Sequence, residues 1–79
     1  MGTSVDLKKV EEDELTVKYA FSSVNEQIGI VVINKETGRC NIVKEHPCDP
    51  KNRLAYRAMW ALMRDWRNNQ LLDVTQWVG

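Results

Sequence analysis

Hydrophobic and polar residues alternate along the first part of the chain. The clearest case is the run in which Leu15, Val17, Tyr19 and Phe21 are separated by polar or small residues. A period of two places alternate side chains on opposite faces of a pleated strand, one facing a core and the other facing water. This pattern predicts a strand over Leu15–Ser22, and a less regular alternation before it predicts a first strand over Ser4–Val10.

Two further strands and a turn are predicted from the next segment. Gln27–Ile33 is nearly continuous in apolar residues, which predicts a central strand covered on both faces. Asn34–Gly38 predicts a hairpin turn, opened by the asparagine side chain and closed by a glycine with positive φ. Arg39–Lys44 predicts a returning strand with Cys40 and Ile42 on one side. Short connections favour a meander, in which successive strands are neighbours.

A helical period replaces the period of two near the end of the chain. Asp49–Asn69 predicts an amphipathic helix, with Asp49 as the N-cap and Pro50 as the first helical residue. At about 100° per residue the helix has two unlike faces. The apolar face, which we expect to lie on the sheet, consists of Leu54, Ala55, Ala58, Met59, Leu62, Met63 and Trp66. The opposite face consists of Arg53, Arg57, Arg64 and Arg67, with Trp60 among them and Tyr56 at the border.

Together these elements predict an α+β fold, in which a three- or four-stranded antiparallel meander sheet is followed by one long C-terminal amphipathic helix packed on one face. The apolar tail Leu71–Val78 is expected to dock, either as extended chain or as a brief turn of helix. One helix leaves the second sheet face uncovered, and we expect Val31, Ile33 and Val43 to point there. The tail or a second subunit is expected to cover them, because a bare patch of several hundred Å² is unusual for a monomer.

Size and charge limit the classes of function. The 79 residues predict one small domain over 1–79, and 43% hydrophobic with 28% charged residues is an ordinary globular composition. The formal net charge is zero, so the chain lacks the global positive field of a dedicated nucleic-acid-binding protein. The acidic run Glu11–Glu14 is expected to be a solvated turn rather than a cage of ligands for a cation.

The location is expected to be cytoplasmic. No apolar run approaches the roughly 20 residues that a membrane helix requires, so no membrane contact is expected. No charged-then-apolar export signal opens the chain, and two cysteines do not make a disulfide framework, so reduced thiols are expected. The order of strands, turn and tryptophan-rich helix resembles that of many short bacterial proteins.

Thiol, metal and nucleotide chemistry have weak support in the sequence. Cys40, His46 and Cys48 are spaced as Cys-x₅-His-x-Cys, which leaves a zinc site without an evident fourth ligand. The same residues form no clear nucleophile–base pair, since neighbours in a proline-flanked loop do not usually aim at each other. The four glycines are scattered and form no phosphate-binding loop. We therefore expect an enzyme activity to be absent, with no catalytic, metal-binding or cofactor-binding residues.

The arginine side of the helix is the best functional lead. Planar guanidinium groups suit carboxylate or phosphate partners, and exposed aromatic rings suit a protein interface or stacked bases. We expect partner contacts from Arg53, Tyr56, Arg57, Trp60, Arg64 and Arg67. The leading hypothesis is a non-catalytic interaction domain that binds a protein partner or forms a homodimer. Self-association through the sheet is one version of this hypothesis. Single-stranded nucleic-acid binding is the alternative, and a solvated face whose arginine stems shield the rings is the purely structural explanation.

Overall fold

The residues that the computed structural model describes, 4–22, 29–45 and 52–78, form five antiparallel strands and one helix. The elements in chain order are β1 (Val5–Glu12), β2 (Thr16–Ser22), β3 (Gly29–Asn34), β4 (Cys40–Lys44), α1 (Arg53–Arg67) and β5 (Val74–Trp77). The strands lie in one sheet in the order β4-β3-β2-β1-β5, and α1 packs on one face of that sheet. The predicted α+β class, meander and packed helix are confirmed, but the sheet has five strands instead of three or four.

The additional strand is the apolar tail, which docks as extended chain. β5 pairs antiparallel with β1, so that Val5 lies opposite Trp77 and Lys8 lies opposite Val74. The path into β5 is fixed by the Tyr19 hydroxyl, which donates a hydrogen bond of 2.5 Å to the carbonyl of Leu72. Because β5 joins the edge of the sheet, it leaves the face opposite α1 uncovered, and Val74 remains 65% exposed.

The strict alternation in β2 predicts its buried face correctly. Val17, Tyr19 and Phe21 are all buried, as the period of two requires, whereas Leu15 is half exposed because it lies before β2 begins at Thr16. In β1 the register shifts between Lys9 and Glu11, and this bulge is the physical reason for the irregular alternation there.

The acidic run Glu11–Glu14 is not a single turn, because β1 continues through Glu11 and Glu12, which lie opposite residues of β2. The chain then reverses after Glu12. The Asp13 carboxylate stabilises the reversal by accepting hydrogen bonds from the backbone N–H groups of Leu15 and Thr16, at 2.9 and 2.7 Å. These hydrogen bonds also lower the pKa of Asp13.

The prediction that the third strand is covered on both faces is wrong. Val31 and Ile33 are buried in the core that the sheet forms with α1, and they do not point to the opposite face as expected. Ile30 and Val32 occupy that face and are half-buried, and Val43 is exposed. The physical reason is that α1 covers one face of the sheet, and no other described element covers the second.

The hairpin turn over Asn34–Gly38 is confirmed in detail. The Asn34 side-chain oxygen accepts hydrogen bonds from the backbone N–H groups of Glu36 and Thr37, at 2.8 and 3.1 Å. Gly38 has a φ of 74°, and a Cβ atom there would lie 2.7 Å from the Trp66 ring. Glycine is therefore required both for its backbone conformation and for the close approach of the ring. The Trp66 indole N–H donates to the carbonyl of Lys35 at 2.6 Å, which fastens this turn to the helix.

The helix begins later than predicted. Its N-cap is Asn52, whose φ of 53° and ψ of 31° lie in the left-handed region, so this residue cannot continue a right-handed helix. The predicted N-cap Asp49 and first helical residue Pro50 lie outside the described residues.

The helix ends where predicted, at Asn68 and Asn69. Asn69 has a φ of 55°. The N–H of Gln70 donates to the carbonyl of Asp65 at 2.8 Å, and the N–H of Asn69 donates to the carbonyl of Trp66 at 3.0 Å. These two bonds form the Schellman motif, which satisfies carbonyl groups that a helix end otherwise leaves unpaired.

The buried side of α1 is formed by Ala55, Ala58, Ala61, Leu62 and Asp65. The predicted apolar face is confirmed, but its centre lies further round the helix axis than expected. Ala61 lies in the core and Asp65 is buried although neither was expected to be, whereas Met63 lines a surface groove instead. Small alanine side chains allow α1 to approach the sheet closely, and Trp66 packs at the edge of the core.

Leu62→Ala tests this orientation of α1. The Leu62 side chain has no exposed surface, and comparable core truncations lower the free energy of unfolding by about 2–5 kcal/mol. A small domain has only about 5–10 kcal/mol in total, so urea or thermal unfolding would show the loss plainly. The matched control is Arg57→Ala on the other side of the helix, which we expect to cost under about 1 kcal/mol. The reverse ranking would mean that α1 does not pack through Leu62.

Candidate functional site

The arginine–tryptophan face, as we call it, is the side of α1 that points away from the sheet. Its members follow one another at steps of four, three, four and three residues, which places them in a single row along the helix. They are Arg53, Arg57, Trp60, Arg64 and Arg67, with Tyr56 beside them. Trp60 and Tyr56 are about half exposed, at 49% and 50%. The structure therefore brings the six residues of the predicted partner surface together on one side of the helix.

Trp77, which is not among the six residues predicted to contact a partner, extends this surface. Trp77 lies on β5, and its ring centroid is 5.8 Å from that of Trp60, with the two ring planes inclined at 59°. Tilted rings at this distance are in favourable contact. The pairing depends on the place of β5 at the sheet edge next to α1, so no local pattern in the sequence indicated it.

A groove of about 440 Å³ opens beside the two indoles. It is lined by Trp60, Met63, Arg64, Arg67 and Trp77. The indoles and the methionine provide apolar surface, and the arginines provide positive charge. Such a groove suits a group that is apolar at its centre and anionic at its border.

Arg64 has a different role from the other arginines of the face. Its guanidinium donates hydrogen bonds to the side-chain oxygen of Thr75 at 3.3 Å and to the carbonyl of Gln76 at 3.0 Å. It also donates to the Asp65 carboxylate at 3.1 Å. Arg64 therefore links α1 to β5 and holds Trp77 close to Trp60, which makes it a positioning residue of the groove.

Asp65 is the most unexpected residue of the helix, because its side chain is buried. Only 5% of the residue is exposed, whereas aspartate is almost never fully buried unless it is paired. Its partner is Arg64, which donates to Oδ1, while Oδ2 has no hydrogen-bond partner among the described residues. Its position four residues after Ala61 and three after Leu62 was the signal in the sequence, but hydropathy alone assigns aspartate to the surface.

Two arginines of the face carry charges without a partner in the described part of the chain. No carboxylate among these residues forms an ion pair with Arg57 or Arg67. The one acidic residue of α1 is the buried Asp65. The exposed charges of the helix are therefore all positive, although the whole chain has no net charge.

The acidic residues around the β1–β2 reversal are largely paired with lysines. Glu12 contacts Lys35 at 2.6 Å and Lys9 at 2.8 Å, and Glu11 contacts Lys18 at 3.6 Å. Hydrogen bonds from Lys35 and Lys9 lower the pKa of Glu12 from its usual value of 4.5 to about 2. Within the described ranges, no three metal-ligating side chains come together here or elsewhere.

Cys40 is a half-buried free thiol. Burial raises the pKa of Cys40 to about 11, so this residue is a thiol and not a reactive thiolate near neutral pH. The other two residues considered for thiol or zinc chemistry, His46 and Cys48, lie outside the described residues.

Comparison with known proteins gives no relative for this chain. No protein-family model, no curated protein and no solved structure matches it. Among the described residues, no helix is long and apolar enough to cross a membrane. The function is therefore inferred from the geometry of the arginine–tryptophan face itself.

Arg64→Ala tests the link between α1 and β5. The substitution removes the hydrogen bonds to Thr75 and Gln76 and leaves the buried Asp65 carboxylate without its donor, so we expect it to lower the free energy of unfolding by about 1–3 kcal/mol. Arg67→Ala is the matched control, because it removes the same side chain from the same row, and we expect a change within about 0.5 kcal/mol. Urea unfolding measures both values. Near-ultraviolet circular dichroism should show a weaker signal from the Trp60–Trp77 pair only in Arg64→Ala.

The lowered pKa of Glu12 predicts a specific loss of stability in acid. A carboxyl group with a lower pKa in the folded state stabilises the fold above its unfolded pKa, and this contribution disappears as the pH falls through the folded pKa. For Glu12 the window runs from 4.5 down to about 2. Unfolding free energies measured across this range should fall less steeply in Glu12→Gln than in the wild type. Identical slopes would show that the contacts with Lys35 and Lys9 do not stabilise the folded state.

Proposed function

We propose that this chain is a non-catalytic protein-interaction domain, and that it binds a protein partner through the arginine–tryptophan face together with Trp77. The observation that carries the proposal is the pair formed by Trp60 and Trp77, which borders an open groove. Half of Trp60 is left in water, although burying an indole is among the largest gains in free energy that a protein surface can provide.

The composition of this surface favours a protein partner. Tryptophan, tyrosine and arginine are the residues enriched at the energetic centres of protein interfaces, and the face together with Trp77 contains one tyrosine, two tryptophans and four arginines. In addition, Met63 contributes flexible apolar surface to the groove, which adapts to a side chain of a partner.

The cytoplasm is the location that we propose for this interaction. The half-buried thiol of Cys40 is unpaired, and unpaired cysteines are typical of proteins in a reducing compartment.

Single-stranded nucleic-acid binding is the second candidate, and arginines on both sides of the exposed Trp60 favour it. Two features make nucleic acid a less suitable ligand for this surface than a protein. The guanidinium of Arg64 is occupied by contacts within the chain, and the net charge of zero provides no general attraction for phosphates. Retention of labelled oligonucleotides at low salt, lost in Trp60→Ala, would favour this candidate.

Self-association through the uncovered sheet face has weaker support than contact through α1. Two of the apolar residues of that face, Ala20 and Ile30, lie opposite each other on neighbouring strands. Lys8 and Lys44 flank these two residues, and Val74 lies beyond Lys8 at the sheet edge. Their charges oppose close stacking of two copies, although their aliphatic stems shield the apolar residues from water. Sedimentation over a wide range of concentrations measures this association directly, and a constant monomer would exclude it.

Selection from a random peptide library tests the protein-interaction proposal without assuming a partner. We expect the immobilised domain to enrich peptides whose affinity falls about 30-fold in Trp60→Ala, the effect of losing about 2 kcal/mol at an interface centre. Lys8→Ala, on the opposite side of the sheet, is the control and should retain the peptides. Because Trp60 is half exposed, the fold should survive its removal, and a thermal melt checks this. Peptides that bind equally to Trp60→Ala would contradict the proposed surface.

A further inference from the structure

The charges of the arginine–tryptophan face are arranged in a way that selects among protein partners. Arg57 and Arg67 are one helical turn before and two turns after Trp60. In the described part of the chain neither of them forms an ion pair. The positive groups that flank the indoles are therefore available to a ligand, whereas those of Lys9, Lys18 and Lys35 are paired with carboxylates.

The shape of the groove further restricts the ligand. The two indoles are in direct contact, with centroids 5.8 Å apart, so no group can enter between the rings. A flat base can stack on one indole but not on both, since the planes are inclined at 59°. A branched or bulky side chain has no such restriction and can contact Trp60, Met63 and Trp77 together.

We infer that the partner presents an acidic segment with one large apolar side chain at its centre. This inference rests on the proposed function. The apolar side chain occupies the groove beside Trp60 and Trp77, and carboxylates on either side pair with Arg57 and Arg67. Charge complementarity supports this inference, because all exposed charges on α1 are positive. The guanidinium fork also matches the geometry of a carboxylate.

Glu12 and Asp13 of a second copy fit this role poorly. The carboxylate of Glu12 is already shared by Lys9 and Lys35. The carboxylate of Asp13 accepts the hydrogen bonds that hold its own turn. Pairing either of these carboxylates with Arg57 or Arg67 of another molecule would compete with these bonds, which favours an acidic segment from a different protein.

Short peptides of defined charge test the inference on the intact chain. The probes are blocked pentapeptides of sequence EELEE, QQLQQ, KKLKK and EEAEE, with oligothymidylate as a nucleic-acid probe. The indole N–H resonances of Trp60, Trp66 and Trp77 report binding in ¹⁵N-labelled protein. Trp66 is an internal reference, because its N–H is bonded to the carbonyl of Lys35. We expect EELEE to shift Trp60 and Trp77 but not Trp66, and to bind about tenfold more tightly than QQLQQ, from two exposed ion pairs.

Two charge reversals provide matched variants. Arg67→Glu should weaken EELEE about tenfold while leaving the Trp66 resonance in place, which shows that the fold is retained. Lys8→Glu makes the same change in charge on the other side of the sheet and should leave EELEE binding unchanged. EEAEE should bind more weakly than EELEE, because it lacks the side chain that fills the groove.

The outcomes separate this inference from the function on which it rests. If QQLQQ or KKLKK binds at Trp60 as tightly as EELEE, the domain still recognises peptides there but the acidic class is wrong. If no peptide of any charge shifts the indoles of Trp60 and Trp77, both proposals fail. A shift produced by oligothymidylate alone would assign the surface to nucleic acid and would overturn both as well.

Discussion

The burial of one face of the sheet under a single helix is the constraint on which the rest of this structure depends. Ala55, Ala58 and Ala61 allow α1 to lie close to the strands, and Leu62 joins the apolar side chains beneath it. Each strand therefore needs apolar residues on one face alone, which is the origin of the alternation along the chain. A helix can bury only one of its sides, so the arginines collect on the other side as a direct consequence of this packing.

The same packing explains why the candidate site is built from two elements distant in sequence. α1 lies beside the edge strand β5, and the guanidinium of Arg64 reaches from one to the other. Edge strands expose unpaired carbonyl groups that attract other chains. The guanidinium of Arg64 donates a hydrogen bond to one of these, the carbonyl of Gln76. The residue that protects the edge also holds Trp77 against Trp60. A ligand that contacts both indoles would consequently stabilise the attachment of β5 as well.

Local patterns in the sequence predicted the structural features that depend on a single helix, strand or turn. The period of two identified β2, the asparagine and glycine of the Asn34–Gly38 turn identified the hairpin, and the helical period separated the two faces of α1. The sequence did not reveal features that depend on two elements at once. Trp77 meets Trp60 only because β5 pairs with β1, and Asp65 is buried only because Arg64 provides a donor. The apolar run in β3 was misleading for the same reason, since nothing local showed that its second face would lack a cover.

The position of β1 between β2 and β5 has a consequence for how the chain is made. β1 leaves the ribosome before the other elements of the sheet, whereas β5 follows only after three further strands and the helix. The backbone groups on one edge of β1 therefore stay unpaired until β5 has been synthesised. During that interval β1 is a template for a neighbouring nascent chain, and the lysine pair Lys8-Lys9 within it provides the charge that discourages such contacts.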